Sequence, residues 1–136
     1  MPRGAAMLDD LVTVVKRYLE ALNRDDRETL VSLFAPTGRV YSPFLGEMPV
    51  REFFDRLGQA TRRSVITPLD IMPSCAGNRR VAAFFRYDWT VSDGTLISLE
   101  LVDLFDFEPD RALIRKLTIV YDTHPVRQEH GNKYER

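Results

Sequence analysis

Residues 95–107 read TLISLELVDLFDF, and they alternate in the way that a β-strand with one buried face does. One face carries five apolar side chains and a single acid: Ile97, Leu99, Leu101, Asp103, Phe105 and Phe107. The opposite face includes the polar residues Ser98, Glu100 and Asp106. The pattern therefore predicts a strand whose core-facing side holds one carboxyl group.

Asp103 makes this strand functionally informative. An ionised carboxylate without a partner is costly in an apolar wall, so Asp103 must be protonated, paired or directed into a cavity. An acid in such a position is a candidate functional residue. Arg115 is one candidate partner, because it shares a predicted strand face with Leu117, and an ion pair would keep Asp103 ionised. The other interpretation is a structural aspartate that caps buried backbone.

The first half of the chain has the patterns of helices. Apolar residues at helical spacing predict a first helix over residues 8–22, with Tyr18 beside the apolar stripe. The residues DDRE at 25–28 form a capping-box pattern and predict a second helix that continues to Phe34. Pro49 suits the first position of a third helix, whose apolar face ends at Ala60.

The second half has the patterns of strands. Residues 64–72 predict a strand that Pro68 interrupts, which favours an edge or a bulge. Residues 81–91 and 113–122 predict strands on either side of 95–107, and SDG at 92–94 indicates a hairpin. Helices followed by an antiparallel meander predict an α+β domain. A sheet curved around those helices would leave a conical, mostly apolar cavity.

Length and composition limit the classes of protein. A chain of 136 residues predicts one domain, residues 8–125, between flexible termini at 1–7 and 126–136. The net charge of −1 gives no basic surface for nucleic acid or for an anionic membrane. Cys75 is the only cysteine, which excludes an internal disulfide. No stretch has the pattern of a signal peptide or a membrane span, so a cytoplasmic protein is expected.

Metal and cofactor sites are not predicted. His124 and His130 are the only histidines, and neither is spaced with carboxylates as metal ligands are. The chain also lacks a glycine-rich phosphate loop and a nucleophile elbow. We therefore expect neither a metal nor a cofactor.

Five segments carry a family resemblance: VVKRYLEALN at 14–23, LVSLFA at 30–35, PVREFF at 49–54, DLFDF at 103–107 and IRKLTIVY at 114–121. Together they resemble the NTF2-like superfamily, which includes ketosteroid isomerases and SnoaL-like polyketide cyclases. The resemblance implies a cone-shaped, cystatin-like fold with three N-terminal helices packed on a curved antiparallel sheet. It also implies a homodimer formed through the outer face of the sheet, and Leu96, Val102 and Leu104 are compatible with that face.

The resemblance further implies a pair of hydrogen-bond donors. In the isomerases a tyrosine on the first helix and a neutral aspartic acid on a late strand hold the oxygen of an enolate. Those positions correspond to Tyr18 and Asp103. The isomerases place their catalytic base, an aspartate, directly before a proline, where this chain has Ser42, and a serine hydroxyl has no useful basicity near neutral pH.

Asp122 and His124 are candidates for the missing acid or base, since a histidine is the natural proton carrier near neutrality. Strand alternation directs Asp122 away from the face of Asp103, which favours a turn at Asp122 and a surface position for His124. Both interpretations stay open at the level of the sequence.

Two functions are consistent with these patterns. The first is binding of a small, hydrophobic, carbonyl-bearing ligand, with isomerase or cyclase chemistry through an enolate held by Tyr18 and Asp103. The residues expected to contact that ligand are Ser42, Phe44, Phe53, Trp89, Phe105 and Tyr121. The second is a non-catalytic binding or dimerisation module of the same fold, which the loss of the base favours. Whether the protein is an enzyme is left open.

Overall fold

The computed structural model describes residues 3–124, with side chains from residue 8 onward. The helices are α1 (Arg3–Asn23), α2 (Arg27–Ser32) and α3 (Val50–Ala60). The strands are β1 (Phe34–Ser42), β2 (Gly46–Pro49), β3 (Thr61–Pro73), β4 (Arg80–Val91), β5 (Leu96–Phe107) and β6 (Ile114–Tyr121). Helix α1 begins earlier than the predicted residue 8. The predicted C-terminal tail, 126–136, lies outside the described residues.

The strands form one curved, open sheet in the order β2-β1-β6-β5-β4-β3. Strands β3 to β6 are an antiparallel meander, as predicted. The pairing of β1 with β6 is parallel, so the sheet is not purely antiparallel. Helix α1 packs on β3 and β4, and α3 packs on β1 and β2. The predicted α+β class, with helices packed on a curved sheet, is confirmed.

Strand β5 lies inside the sheet, between β4 and β6. Its odd-numbered side chains face the helices, and from Leu99 to Phe107 each of them is buried. Asp103 lies directly opposite Ala83 of β4 and Ile119 of β6, and only 1% of its surface is exposed. The alternation read from residues 95–107 therefore predicted both the strand and its buried face correctly.

The prediction for the second helix was wrong in its details. Asp25 has a left-handed backbone with φ of 54°, so the helix cannot start there. The N-cap is Asp26, whose carboxylate accepts a hydrogen bond of 3.2 Å from the backbone N–H of Thr29. The helix ends at Ser32, and Phe34 already belongs to β1.

Pro68 lies at a register shift on an edge strand, as expected for a residue without a backbone N–H. Strand β3 is an edge strand, and its register with β4 shifts between Pro68 and Asp70. A residue without a backbone N–H is tolerated at such a bulged edge. The predicted edge position and bulge are confirmed, although the strand continues through Pro68 from Thr61 to Pro73.

Candidate functional site

A cavity of about 670 Å³ lies between the helices and the concave face of the sheet. Its wall contains seven aromatic rings: Tyr18, Phe44, Phe53, Phe85, Tyr87, Trp89 and Tyr121. Leucine, isoleucine and valine side chains fill most of the remaining wall, while Arg56 and Gln59 of α3 are its exposed polar residues. The space is large enough for a ligand of two to four fused rings, since ligand pockets in proteins span roughly 300–1,000 Å³.

Most of the site residues named from the sequence line this cavity. Those that do are Tyr18, Ser42, Phe44, Phe53, Trp89, Asp103 and Tyr121. Phe105 is different, because it is fully buried beneath Tyr18, with the two ring centroids 4.9 Å apart and the rings edge to face. Phe105 therefore supports Tyr18 and does not contact the cavity.

Asp122 and His124 lie outside the cavity lining. Both residues are exposed, and an Asp122 carboxylate oxygen accepts a hydrogen bond of 2.9 Å from the backbone N–H of His124. This is the geometry of a local turn, which the sequence offered as the alternative interpretation. Neither side chain is placed to exchange a proton with a molecule in the cavity.

Asp103 is the most unusual group in the wall. Its Oδ1 atom is buried and has no hydrogen-bond partner among the described residues. Burial raises the pKa of the Asp103 carboxyl group well above its usual value of 3.8, because the charged form loses its hydration. Burial therefore favours the neutral form of Asp103, which can donate a hydrogen bond.

Arg115 does not pair with Asp103. The register between β5 and β6 shifts after Asp106, so that Lys116 and Ile114 have partners on β5 while Arg115 is skipped. The bulge leaves Arg115 exposed, away from the buried face on which strict alternation would place it. The candidate ion pair between Arg115 and Asp103 is therefore not formed, because the extra residue of the bulge places Arg115 on the exposed side.

Tyr18 lies on α1 and reaches the same cavity. Its ring packs edge-on against Phe34, Phe54 and Phe105, which fix its orientation. Burial raises the pKa of the Tyr18 hydroxyl well above its usual value of 10. Tyr18 therefore keeps its proton and is a second potential donor.

Ser42 ends β1 at the edge of the cavity, where the isomerase base would lie by the resemblance. It is buried, and its Oγ accepts a hydrogen bond of 3.4 Å from the backbone N–H of Leu45. Among the described residues that line the cavity there is no histidine, and Asp103 is the only carboxylic acid. The structure thus supplies hydrogen-bond donors to the cavity without an evident strong base.

Tyr87 is a polar wall residue that the sequence analysis did not single out. Its hydroxyl oxygen lies 2.9 Å from Ser64 Oγ, and Ser64 donates a hydrogen bond of 3.2 Å to Asp25 Oδ1. Burial raises the pKa of Tyr87 to about 12, and the contact with Ser64 opposes that rise. The available signal was its place on the buried face of residues 81–91, where a hydroxyl interrupts an apolar row.

Two other kinds of feature are absent from the described part of the chain. No group of three or more His, Cys, Asp or Glu side chains between residues 8 and 124 is arranged to hold a metal ion. No helix within residues 3–124 is long and apolar enough to cross a membrane.

Comparison with solved structures identifies the fold. An NTF2-like protein of unknown function from Burkholderia pseudomallei is 19% identical, with a TM-score of 0.73 over 88% of this chain and 95% of that one. A candidate polyketide cyclase from Xanthomonas campestris pv. campestris is 17% identical, with a TM-score of 0.77 over 92% and 99%. The epoxide hydrolase/cyclase-like enzyme SalBIII, described in pyran ring formation in the polyether salinomycin, is 20% identical, with a TM-score of 0.70 over 84% and 92%.

The family assignment comes from the sequence itself. No protein of curated function matches the chain significantly. The sequence model of the SnoaL-like domain matches residues 15–115, which include α2, α3 and most of the sheet. This chain therefore belongs to the SnoaL-like domain family.

Proposed function

We propose that this protein binds a small hydrophobic molecule through an oxygen atom that accepts hydrogen bonds from Tyr18 and Asp103. The observation that carries the proposal is Asp103 in the cavity wall, whose buried Oδ1 has no hydrogen-bond partner in the part of the chain that the structure describes. A buried polar atom left unpaired costs roughly 1–3 kcal/mol. A carbonyl or phenolate oxygen of a ligand would remove that cost.

The two donors suit an oxygen that gains negative charge. Burial favours the neutral form of both groups, because it raises the pKa of each one. Donors fixed in an apolar wall stabilise an enolate or alkoxide more strongly than water does, because they need no reorganisation. This supports isomerase- or cyclase-type chemistry, in keeping with the family and with the cyclase-like enzymes of the same fold.

Because the described lining contains no strong base, the proposed reaction does not rely on a side chain of the lining to remove a proton. In the proposed step the protein holds the anionic oxygen, while the proton is taken by a group of the substrate or by water. The same absence favours a second candidate, a non-catalytic binding module in which the donor pair only holds the ligand.

Binding of 2-naphthol tests the donor pair, because the bound phenol reports its ionisation in its ultraviolet spectrum. Wild type should bind it with the spectrum of a phenolate. Tyr18→Phe and Asp103→Leu should each weaken binding about tenfold or more, since each removes a hydrogen bond to a charged oxygen.

Tyr41→Phe is the matched control, because it removes a hydroxyl from a tyrosine of β1 that is exposed and does not line the cavity. It should leave both affinity and spectrum unchanged. Binding that is indifferent to the Tyr18 and Asp103 substitutions would disprove the proposal.

A further inference from the structure

Tyr87, Ser64 and Asp25 form a hydrogen-bonded chain from the cavity to the surface. The Tyr87 ring lines the cavity and its hydroxyl contacts Ser64, which is buried on β3. Ser64 in turn contacts Asp25, which is exposed in the turn between α1 and α2. The three residues come from three separate parts of the chain.

The chemistry of the three groups fixes the direction of this chain. A carboxylate only accepts hydrogen bonds, so the single hydroxyl hydrogen of Ser64 goes to Asp25. For the contact of 2.9 Å between Ser64 and Tyr87 also to be a hydrogen bond, Tyr87 must be the donor. The Tyr87 hydrogen is then committed to Ser64, and its oxygen can only accept from other groups.

The surroundings leave that acceptor available to the cavity. Thr61 is the neighbouring hydroxyl, but it donates to the carbonyl oxygen of Leu57 at 2.6 Å, so its hydrogen is committed elsewhere. The Nε1–H of Trp89 donates to Thr61 at 2.8 Å and is committed as well. The Thr61 side chain also contacts the Tyr87 hydroxyl, and there it can only accept. The Tyr87 hydrogen therefore goes to Ser64 or Thr61, and in either case the Tyr87 oxygen can accept a hydrogen from the cavity.

Two side-chain hydrogen bonds hold the turn that carries Asp25 against β3. Asp25 has φ of 54°, a conformation that aspartate tolerates better than most residues do. Two residues earlier, the Asn23 side chain accepts a hydrogen bond of 2.8 Å from the backbone N–H of Ile66 on β3. These two side-chain links join the end of α1 to β3 and keep the carboxylate in reach of Ser64.

We propose that the cavity has an acceptor end at Tyr87 in addition to its donor end at Tyr18 and Asp103, and that its ligand carries a hydroxyl group for the acceptor end. This inference rests on the proposed function for the donor end. Asp103 pairs with Ala83, and Tyr87 is four residues further along β4, a strand distance of roughly 13 Å. The ligand class is therefore an elongated hydrophobic hydroxy-carbonyl or hydroxy-phenol compound of at least two fused rings.

Three naphthols of known hydrogen-bonding capacity test the acceptor end: 2-naphthol, 2,6-dihydroxynaphthalene and 6-methoxy-2-naphthol. The diol can donate at its distal oxygen, the methyl ether can only accept there, and 2-naphthol has no distal group. Wild type should bind the diol about three- to tenfold more tightly than either of the others, the range expected for one hydrogen bond.

Substitutions in the hydrogen-bonded chain should each change the preference for the diol in a predictable direction. Tyr87→Phe should reduce the diol preference to about onefold. The double variant Ser64→Ala/Thr61→Val should invert it in favour of the methyl ether, because the Tyr87 hydrogen then has neither neighbouring hydroxyl as acceptor and can turn into the cavity. Asp25→Asn should weaken or invert it as well, since an amide can donate to Ser64 and reverse the chain.

Asp26→Asn is the matched control for Asp25→Asn. It removes the same charge from the neighbouring residue, whose carboxylate contacts Thr29 and not Ser64, and asparagine remains a good N-cap. The diol preference should stay at its wild-type value in this variant. If the hydrogen-bonded chain only stabilised the fold, its substitutions would change the affinities for all three naphthols together. They would not reverse the preference for the diol over the methyl ether.

The outcomes separate the two proposals. A phenolate spectrum for bound 2-naphthol, together with equal wild-type affinities for the diol and the methyl ether, overturns the acceptor end and leaves the donor end intact. A diol preference that Tyr87→Phe abolishes supports the acceptor end even where no phenolate forms, a result that would overturn the donor end alone.

Discussion

In the proposed function, Asp103 contributes to ligand binding at the expense of stability. Asp103→Leu removes a buried carboxyl group whose Oδ1 has no partner between residues 8 and 124, so the free energy of unfolding should rise by about 1–3 kcal/mol. Urea denaturation measures the change. Glu100→Leu, on the exposed face of the same strand, is the control and should stay within about 0.5 kcal/mol of wild type. A less stable Asp103→Leu protein would contradict this account of the carboxyl group.

The same residue predicts a pH dependence with a definite sign. Burial raises the pKa of Asp103 above 3.8, so the folded state binds more protons than the unfolded state above that pH. The contribution of Asp103 to stability is therefore greatest below pH 3.8 and declines as pH rises towards the raised pKa. Carboxylates whose pKa is lowered, such as Asp26 and Asp88, act in the opposite direction in wild type and variant alike.

Asp103→Asn isolates this effect, because an amide of the same shape does not titrate. The variant's free energy of unfolding relative to wild type should increase between pH 4 and pH 7. Urea denaturation at four pH values across that range measures the difference. A difference that is constant with pH would show that Asp103 ionises as easily in the folded state as in the unfolded one.

Ser42 is the residue at which base catalysis could be introduced. Ser42→Asp should confer proton transfer on a small β,γ-unsaturated ketone, with a rate gain on the order of 10²–10⁴ for a positioned general base. Conversion to the conjugated ketone is followed by its ultraviolet absorbance. Ser42→Asn is the matched control, since it has the same shape without the basicity. Equal rates for the two variants would mean that the donor pair does not hold an enolate.

The site residues differ in how far local sequence could predict them. Tyr18 and Asp103 follow from periodicity and family resemblance, because each belongs to the apolar face of its own element. The partnership of Tyr87 with Ser64 and Asp25 spans 23 and 39 positions of the chain. No local pattern encodes such contacts, since they depend on how the α1–α2 turn meets β3.

At the level of secondary-structure elements, strand β1 depends on a close backbone approach at Gly38. A Cβ atom there would lie 2.9 Å from the carbonyl oxygen of Ala35 and 3.0 Å from Phe34 Cβ. Gly38→Ala should therefore lower the free energy of unfolding by about 1–3 kcal/mol, the usual cost of overpacking. Urea denaturation measures this loss.

Gly58 of α3 is the matched control for Gly38. A Cβ atom at Gly58 meets nothing within 4 Å, and alanine is the better helix former. Gly58→Ala should raise the free energy of unfolding by about 0.5–1 kcal/mol. Two variants that shift stability in the same direction would contradict the packing argument for β1.

Long elements with regular patterns were predictable from the sequence. Short elements, and pairings between strands far apart in the sequence, were not. The alternation in β4 and β5 located both strands to within one residue at each end. Strand β2 was missed because Gly46–Pro49 is only four residues long and bounded by a glycine and a proline. The parallel pairing of β1 with β6 joins strands more than 70 positions apart, for which the sequence has no local signal.

At the level of the whole molecule, we propose a homodimer formed through the outer face of the sheet, as the family resemblance implies. Val102 of β5 and Val120 of β6 lie directly opposite each other on that face, and Val120 is 49% exposed. Val120→Lys should convert a dimer into monomers, because it places a charge on this apolar patch. Light scattering coupled to size-exclusion chromatography measures the mass.

Leu69→Lys is the control for the dimer, since Leu69 is similarly exposed but lies on the edge strand β3. It should leave the mass at twice that of one chain. A monomeric wild type, or a Val120→Lys protein that remains dimeric, would exclude this face as the interface.

The proline in the edge strand also affects what happens when many copies meet at high concentration. An open sheet has two edges whose unpaired backbone groups can template fibril growth. In this fold one edge is β2, only four residues long, and the other is β3, which Pro68 and the adjacent register shift interrupt. The molecule can therefore keep its sheet open around a cavity while both edges remain poor templates for polymerisation.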